Sequence, residues 1–576
     1  MDSIFSNSHN ESLHNSIISF LNTSSPLTNA LLILLSVAIL YLGLDISGLT
    51  CTEVIKNIPS IPSYPIVGNA FQVIYNPSIR YFEWAKEYGD VFQIRLGIKR
   101  VIVANSYDSI KDLWIRNCNS NNSRPVLHTF HKVLSKSAIY TIGTTPFGES
   151  YKKKKKYVST HLNKRSVDSF SKLIGDETTC AVFRVLLNSK NEQIYGRKGV
   201  DMDMLKFVQY FSLRISLKLT YDYTIDVDYS ERNLADEIIY VENWITRMRS
   251  HTSNLQDFIP LLRWLSFDKN SKAEELRRRR DEYMDKFFEY AQSSKSKNCL
   301  VNEVLLDPER NISINELKSI CLTMVSAGLD NTGLNLDYCL GHLSNLEKGY
   351  RIQSIAYQEI LNSYGSLFNA WKNCTEEFSC EYIVALIRET LRHMTVLPLS
   401  LPRETTKDIH YHNAIIPKGT ILFMNAYAGN HDPKYFPEPN NFMPERYLNS
   451  NLKLLDGYNN QNGRNCVNCN NNTGGTIIPS FSFGVGSRMC SGNHLAFKEM
   501  YVFLIRFLLM FQVNLPLDEN LTMELDPIKL NEKPDSIAIE PKLYKVNLSI
   551  RDLEFMENIK KHEEKLLIKN SLVFKK

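Results

Sequence analysis

A mainly α-helical domain with small β-sheets, preceded by a single N-terminal transmembrane helix, is the fold class that this sequence predicts. Three observations carry the prediction. From Asn315 to Leu340 the chain is apolar nearly all round, with Ile320, Leu322, Val325, Leu329 and Leu334 among its residues, as a helix crossing the interior of a large domain has to be. Val91 to Leu96 and Arg100 to Ala104 alternate or cluster apolar and β-branched residues, the pattern of a small sheet near the start of the domain. Pro26 to Leu44 carries no charge, and Leu27 to Leu44 supplies roughly the minimum length for one membrane span.

In chain order, residues 1–25 form a tail and residues 26–44 the anchor. The anchor is expected to be retained, because no basic region precedes it and no small-x-small cleavage site follows. Asp2 and Glu11 lie before it and Lys56 after it, a bias that places the large domain in the cytosol. Residues 45–68 end in a stretch with Pro59, Pro62 and Pro65, which enforce an extended backbone and make a stiff spacer. A single domain, 69–552, then takes most of the 576 residues; 43% hydrophobic and 22% charged content support a large core and exclude general disorder. The net charge of +5 is small for this size and gives no argument for nucleic acid. Eleven cysteines, scattered singly apart from Cys466 and Cys469, show no disulfide framework, so a reducing compartment is the simpler inference. Within the domain, the Asn-rich 459–475 reads as a disordered surface insertion, since one Cys-x-x-Cys lacks a second ligand pair for zinc. Residues 553–576, rich in Lys and Glu, read as a charged C-terminal extension or terminal helix.

The chemistry concentrates between Phe483 and Gly492. Cys490 sits among Gly484, Gly486 and Gly492, two residues after Arg488, and the apolar segment Leu495 to Phe511 follows. A metal-bound sulfur must be deprotonated and its charge tempered by nearby donors, which close-approaching glycine backbone can supply. Arg488 would face a carboxylate and Phe483 would keep water off the ligand. The pattern Phe-x-x-Gly-x-Arg-x-Cys-x-Gly, complete from Phe483 to Gly492, resembles the haem-binding loop of the cytochrome P450 superfamily. That resemblance implies the P450 fold, with Cys490 as the metal ligand.

Other segments follow the same family order. Glu389 and Arg392 lie three apart on one helix face, which alone reads as a surface ion pair of little worth. Together with Arg446 they resemble the family's buried Glu-x-x-Arg and arginine network. Ala327-Gly328-Leu329-Asp330-Asn331-Thr332 resembles Ala-Gly-x-Asp-Thr, the helix that passes over the haem. Ala327 and Gly328 would leave room for dioxygen, and Asp330 could relay protons. Asn331 stands in the usual threonine position; Thr332, about 100° further round the helix, cannot simply replace it. Asn331 could orient the same water through its amide, with weaker coupling of reductant to product.

In the run Tyr151 to Tyr157, Tyr151 and Lys155 stand where the family places Trp and Arg to reach a haem propionate, and the remaining lysines would face the cytosol and an acidic electron donor. Arg277 to Arg280 reads as an exposed helix. His128 and Phe130 fall in the region that roofs the family's substrate pocket, Val396, Leu397 and Leu399 in the turn that lines it, and Arg403 is a propionate candidate.

The resemblance implies b-type haem, whose thiolate ligand favours O–O cleavage. It also implies electrons from NADPH through a separate NADPH-cytochrome P450 reductase, with cytochrome b5 as a further donor; the chain has no flavin or nicotinamide fingerprint of its own. The expected location is the endoplasmic reticulum membrane, single-pass. Arg124 to His131, Tyr140 to Pro146, Leu322 to Asp330 and Leu401 to Arg403 look like the fungal phenylacetate 2-hydroxylases, which points to a small aromatic acid and O2 as substrates. Three alternatives stay open: a monooxygenase acting on another aromatic such as a tyrosine derivative, a haem-thiolate isomerase or dehydratase, and a non-catalytic haem-binding sensor.

Overall fold

The computed structural model describes residues 51–135, 140–189, 194, 198–228, 230–252, 254–264, 267–294, 299–455 and 480–572, with 35, 36, 39, 40 and 43. The insertion 459–475 and nearly all of the anchor 26–44 lie outside the described residues, among which no helix is long and apolar enough to cross a membrane.

The central helix, Ile314–Leu343, begins at a capping box. Ser313 Oγ accepts from the Glu316 N–H at 3.2 Å, and a Glu316 carboxylate oxygen accepts from the Ser313 N–H at 3.0 Å. Its thirty residues make a rod about 45 Å long. The helix Leu205–Tyr221 packs along it. Gly328 eases the approach, since a Cβ there would collide with Ser216 Oγ, whereas a Cβ on Gly333 would make ordinary contact with the backbone of Val208 and Gln209 at 3.4 Å. Gly328 therefore makes room for a neighbouring helix, a role that the dioxygen reading of this residue did not include.

The helices Ser171–Asn188, Glu381–Met394 and Asn493–Met510 complete the main core. Asn493–Met510 is apolar nearly throughout, and its Arg506 is satisfied by the carbonyl of Trp371 at 2.9 Å and Thr179 Oγ1 at 2.8 Å.

Strands β1 (Val91–Leu96) and β2 (Lys99–Ala104) pair antiparallel with Val91 opposite Ala104. The sheet gains β4 (Arg403–Glu404) and β7 (Ile421–Met424), distant in sequence, in the order β1-β2-β7-β4. Two smaller sheets join β3 (Val200–Met202), β9 (Val546–Ile550) and β8 (Phe511–Asn514), and β5 (Ile409–Tyr411) with β6 (Ala414–Ile416).

Several segments differ from their sequence reading. The proline-rich stretch lies against β1 and is no free spacer: the Ile61 N–H donates to Gln93 O at 3.0 Å, the Gln93 N–H to Pro59 O at 2.8 Å, and the Gln93 amide to the carbonyls of Ile55 and Ile58. Extended proline backbone keeps its carbonyls free, and an open strand edge takes them.

In the helix Phe267–Ser293, Arg280 is buried beside Asp281 and the Leu134 carbonyl, Arg279 pairs with Glu237, and Arg277 donates to Val133 O. Of the four arginines only Arg278, paired loosely with Glu282 at 3.8 Å, fits the exposed-helix reading.

The lysine run lies on the helix Glu149–His161, which turns Lys154 inward to Thr145 Oγ1 at 2.9 Å and Ser319 Oγ at 3.2 Å. Burial lowers its ammonium to about 8, so not every lysine outside the Tyr151 and Lys155 pair faces solvent.

The charged C-terminal segment forms the helices Leu553–His562 and Glu564–Lys569 and folds onto the domain. Phe555, Met556, Ile559 and Leu567 enter the main core, and Trp371 Nε1 donates to Glu563 at 3.2 Å. Phe555→Ala should therefore cost about 3 kcal/mol, read as a lower unfolding midpoint; an unchanged midpoint would mean that these helices are dispensable.

Candidate active site

The loop around Cys490 is shaped by two glycines in the left-handed region, Gly484 (φ +64) and Gly486 (φ +69). A Cβ on Gly486 would strike the carbonyl of Trp114, so only glycine lets the loop sit on that segment. Ser487 Oγ donates to Cys118 O at 3.0 Å, and the Cys490 N–H to Phe483 O at 2.9 Å. The Gly492 N–H donates to Cys490 Sγ at 3.3 Å. Among the described cysteines Cys490 alone is exposed, yet burial raises its thiol, with the Gly492 N–H and Lys155 acting in the opposite direction. Its open surface therefore faces the interior of the protein. Phe483 is half-buried against the main core.

Three buried arginines surround this loop. Arg488 donates to Asn122 O at 2.6 Å and lies 3.4 Å from the ring centroid of Tyr151. Arg403 donates to Asn121 Oδ1 at 3.0 Å and to the Val485 carbonyl. Arg124 donates to the carbonyls of Gly143, Leu401 and Pro402 at 2.6 to 2.7 Å. Burial and then mutual repulsion depress Arg124 well below the usual range and Arg403 to about 9; burial brings Arg488 to about 10.

Among the described residues no carboxylate pairs with any of the three, and Arg488 Nη2 is buried without a partner. Such a cluster calls for a bound anion. A dianionic haem, with its iron at a cysteine thiolate and its propionates among these guanidiniums, fits the donor set. Tyr151 and Lys155 reach the loop from below, donating to the Ser487 carbonyl at 3.3 and 2.9 Å; Lys155 also reaches Met489 O at 3.4 Å. Both are engaged by loop backbone. Sequence reasoning assigned no role to Arg124 and placed Lys154 among the cytosol-facing lysines, because a single cation beside a loop or within a lysine run carries no pattern.

Beyond its first turns the central helix keeps one accessible stripe: Thr323, Ala327 and Asn331, four residues apart, with Gly328 beside it. Thr323 Oγ1 accepts from the Ile142 N–H at 2.8 Å, and Ile142 O accepts from Arg488 at 3.4 Å, so stripe and arginine cluster meet at Ile142. Asn331 donates its amide to Ala327 O at 3.2 Å.

Asp330 is buried and accepts from Gln209 at 3.4 Å; the Asn243 amide, assigned in the orientation that satisfies its partners, donates to both carboxylate oxygens at 3.1 Å. Burial, with Glu242 and Glu540 nearby, pushes its carboxyl up to about 7. Thr332 is directed away from the stripe and bonds Glu499 on the helix after the cysteine loop, whose carboxyl burial raises to about 8. Thr332 is therefore no catalytic candidate: nine residues along the helix put it half a turn from Thr323.

Two clefts share Arg249, whose Nη2 reaches Ser326 Oγ on the central helix at 3.4 Å. Phe130, His131, Gly143, Leu401 and Arg249 line one; Leu399, Pro402, Phe423, Ala538 and again Arg249 line the other. His128 lines neither, and Val396 and Leu397 pack into the main core instead, with Val396 O accepting from the Ile539 N–H at 2.8 Å.

Beneath the loop, Glu389 accepts from Arg392 at 2.8 and 2.9 Å, from Arg446 at 3.0 and 3.1 Å, and from the Met443 N–H at 2.8 Å. Burial would raise this carboxyl, but the two guanidiniums hold it below the usual range. Arg392 also bonds Asn430 O at 2.9 Å, and Asn430 Oδ1 accepts from the Phe481 N–H at 2.7 Å, which ties the network to the start of the cysteine loop.

A cysteine presented to the interior, a cationic cradle and a helix with one open stripe define a haem-thiolate protein. The chain belongs to the cytochrome P450 family of monooxygenases, whose family profile matches residues 58–547. It is 38% identical to a phenylacetate 2-hydroxylase of Emericella nidulans over 90% of this chain and 95% of that protein. It is 36% identical to a 3-hydroxyphenylacetate 6-hydroxylase of the same organism over 84% and 86%, and 33% identical to a cytochrome P450 monooxygenase of Mycosarcoma maydis over 90% and 92%.

Two outcomes follow. Glu389→Ala strands two buried guanidiniums and should cost about 3 to 5 kcal/mol, giving protein without haem; a normal haem spectrum would refute the coupling. Asp330 holds its proton in the folded chain up to about pH 7 but loses it near 3.8 when unfolded. Stability should therefore fall as pH rises between these values, by up to about 1.4 kcal/mol per pH unit. Asp330→Asn should remove that share of the slope in unfolding midpoints measured from about pH 5 to 7.

Proposed function

We propose that this chain is a membrane-anchored monooxygenase that hydroxylates the aromatic ring of phenylacetate or a related aryl acid. The observation that carries the reading is the similarity, over most of the chain, to two hydroxylases named for phenylacetate and 3-hydroxyphenylacetate. In this reading Cys490 would supply the thiolate that holds the iron of haem b. NADPH supplies electrons through a separate cytochrome P450 reductase, with cytochrome b5 as a second donor. The charge-free segment 26–44 supports an anchor in the endoplasmic reticulum membrane with the domain in the cytosol.

When bound, the haem supplies the two-electron cleavage of O2 that sends one oxygen atom to substrate and one to water. The residues of the chain prepare the site for it. The Gly492 N–H and the Lys155 ammonium favour the thiolate over the thiol. Arg124, Arg403 and Arg488 hold the propionate side, each fixed by carbonyl or amide oxygens, so little reorganisation is needed. Asp330, with a proton to give near neutral pH, and the Oδ1 of Asn331 lie on the central helix, where a water could pass that proton toward the open stripe. Phe130 in one cleft and Leu399 in the other offer apolar walls, either of which could receive the ring.

Reconstitution of the full chain with reductase and NADPH should convert phenylacetate to a ring-hydroxylated acid. Failure to oxidise any aryl acid, by protein whose reduced carbon monoxide spectrum shows thiolate-bound haem, would end the reading. Asn331→Thr should raise product formed per NADPH consumed, whereas Thr332→Val, facing Glu499, should leave that ratio unchanged.

A further inference from the structure

One cation near the open stripe is unused by the haem-side cluster. Arg249 follows the helix Arg232–Arg247 and lines both clefts. Its guanidinium carbon stands 5.0 Å from the ring centroid of Phe130. Nη2 reaches Ser326 Oγ at a loose 3.4 Å, and Ser326 immediately precedes Ala327 of the stripe. Nε is buried and has no partner among the described residues.

The other arginine of the first cleft differs. Arg124 commits Nε and Nη1 to three carbonyl oxygens and belongs to the haem-side cluster. The charged groups that face Arg249 do not neutralise it by contact. Glu242 on its own helix side accepts from Tyr283 at 2.8 Å, Asp330 on the central helix accepts from Gln209 and Asn243, and Arg280 adds a like charge. Among the described residues neither carboxylate forms an ion pair with it. With Nε buried and unpartnered and Nη2 only weakly held, one edge of the guanidinium carries two parallel N–H donors whose needs are unmet, the pair that a carboxylate takes side-on.

We propose that Arg249 anchors the carboxylate of the substrate, with Phe130 closing over the guanidinium and Ser326 placing the bound acid next to the stripe at Ala327. This rests on the aryl-acid reading and names the residue that selects acids over neutral aromatics. Uncharged aromatics of the same shape would leave the guanidinium buried and unpaired, so they are discriminated against by the site's unmet donors rather than by its size.

The test is a titration of full-length, haem-loaded protein with phenylacetate and with phenylacetamide, read as the ligand-induced spin shift and as heat of binding. Wild type should prefer the acid. Arg249→Gln should weaken the acid about 10- to 100-fold and the amide by less than about threefold, and Arg249→Lys should keep part of the preference. Equal weakening of acid and amide by Arg249→Gln, or a wild type that binds both alike, would overturn the proposal. If the Gln variant fails to take up haem, the Lys variant decides: an acid preference as strong as that of wild type would count against the bidentate anchor and a reduced one would support it.

Product formation judges the reaction separately. Acid binding that depends on Arg249 without any hydroxylated product keeps the anchor and removes the hydroxylase. Product from Arg249→Gln with unchanged KM keeps the hydroxylase and removes the anchor.

Discussion

Glu389 accepts hydrogen bonds from two guanidiniums and one backbone N–H at a point with no exposed surface, and the elements that meet there cannot be positioned independently. Such a buried cluster is weak as a source of net stability, since desolvating three charges offsets most of their attraction. Its value is geometric. Arg392 reaches from its helix to the carbonyls of Asn430 and Pro439, and Asn430 in turn fixes Phe481, nine residues before the cysteine. The placement of the loop is thus inherited from a charge pairing well away from the sulfur.

The opposite electrostatic condition holds on the other side of the loop. There the cations outnumber their partners, and hydrogen bonds to carbonyl oxygens soften the imbalance without removing it. The two halves divide the work: one is closed and satisfied and sets position, while the other is held open in charge and sets what can bind. The central helix has the same division. Its buried faces pack on Ser216 and Glu499, and its one accessible stripe is free for chemistry.

What was legible in the sequence is what local pattern can carry. The first two strands, the buried helix and the glycine-bracketed cysteine loop announce themselves through periodicity and turn chemistry, with boundaries off by a residue or so: β2 begins at Lys99 instead of Arg100. Glu389 and Arg392 share a helix face by spacing alone. Distant partners were illegible. Arg124 bonds carbonyls at Leu401 and Pro402, and nothing near Arg124 in the chain reports them. The proline stretch looked like a spacer because its partner, Gln93, is a polar residue within an apolar strand. Thr332 lay one position from the family's threonine, and only the rotation of a helix decides that this sends it to Glu499.

The unpaired arginines also bear on the life of the chain before it is finished. A folded state that keeps three like charges together is penalised until a dianion arrives, so ligand loading and completion of the fold are linked by mass action. A chain made faster than its cofactor is supplied would linger in open forms that proteases and chaperones recognise. The charge pattern around one loop thereby couples completion of the fold to the arrival of an anion.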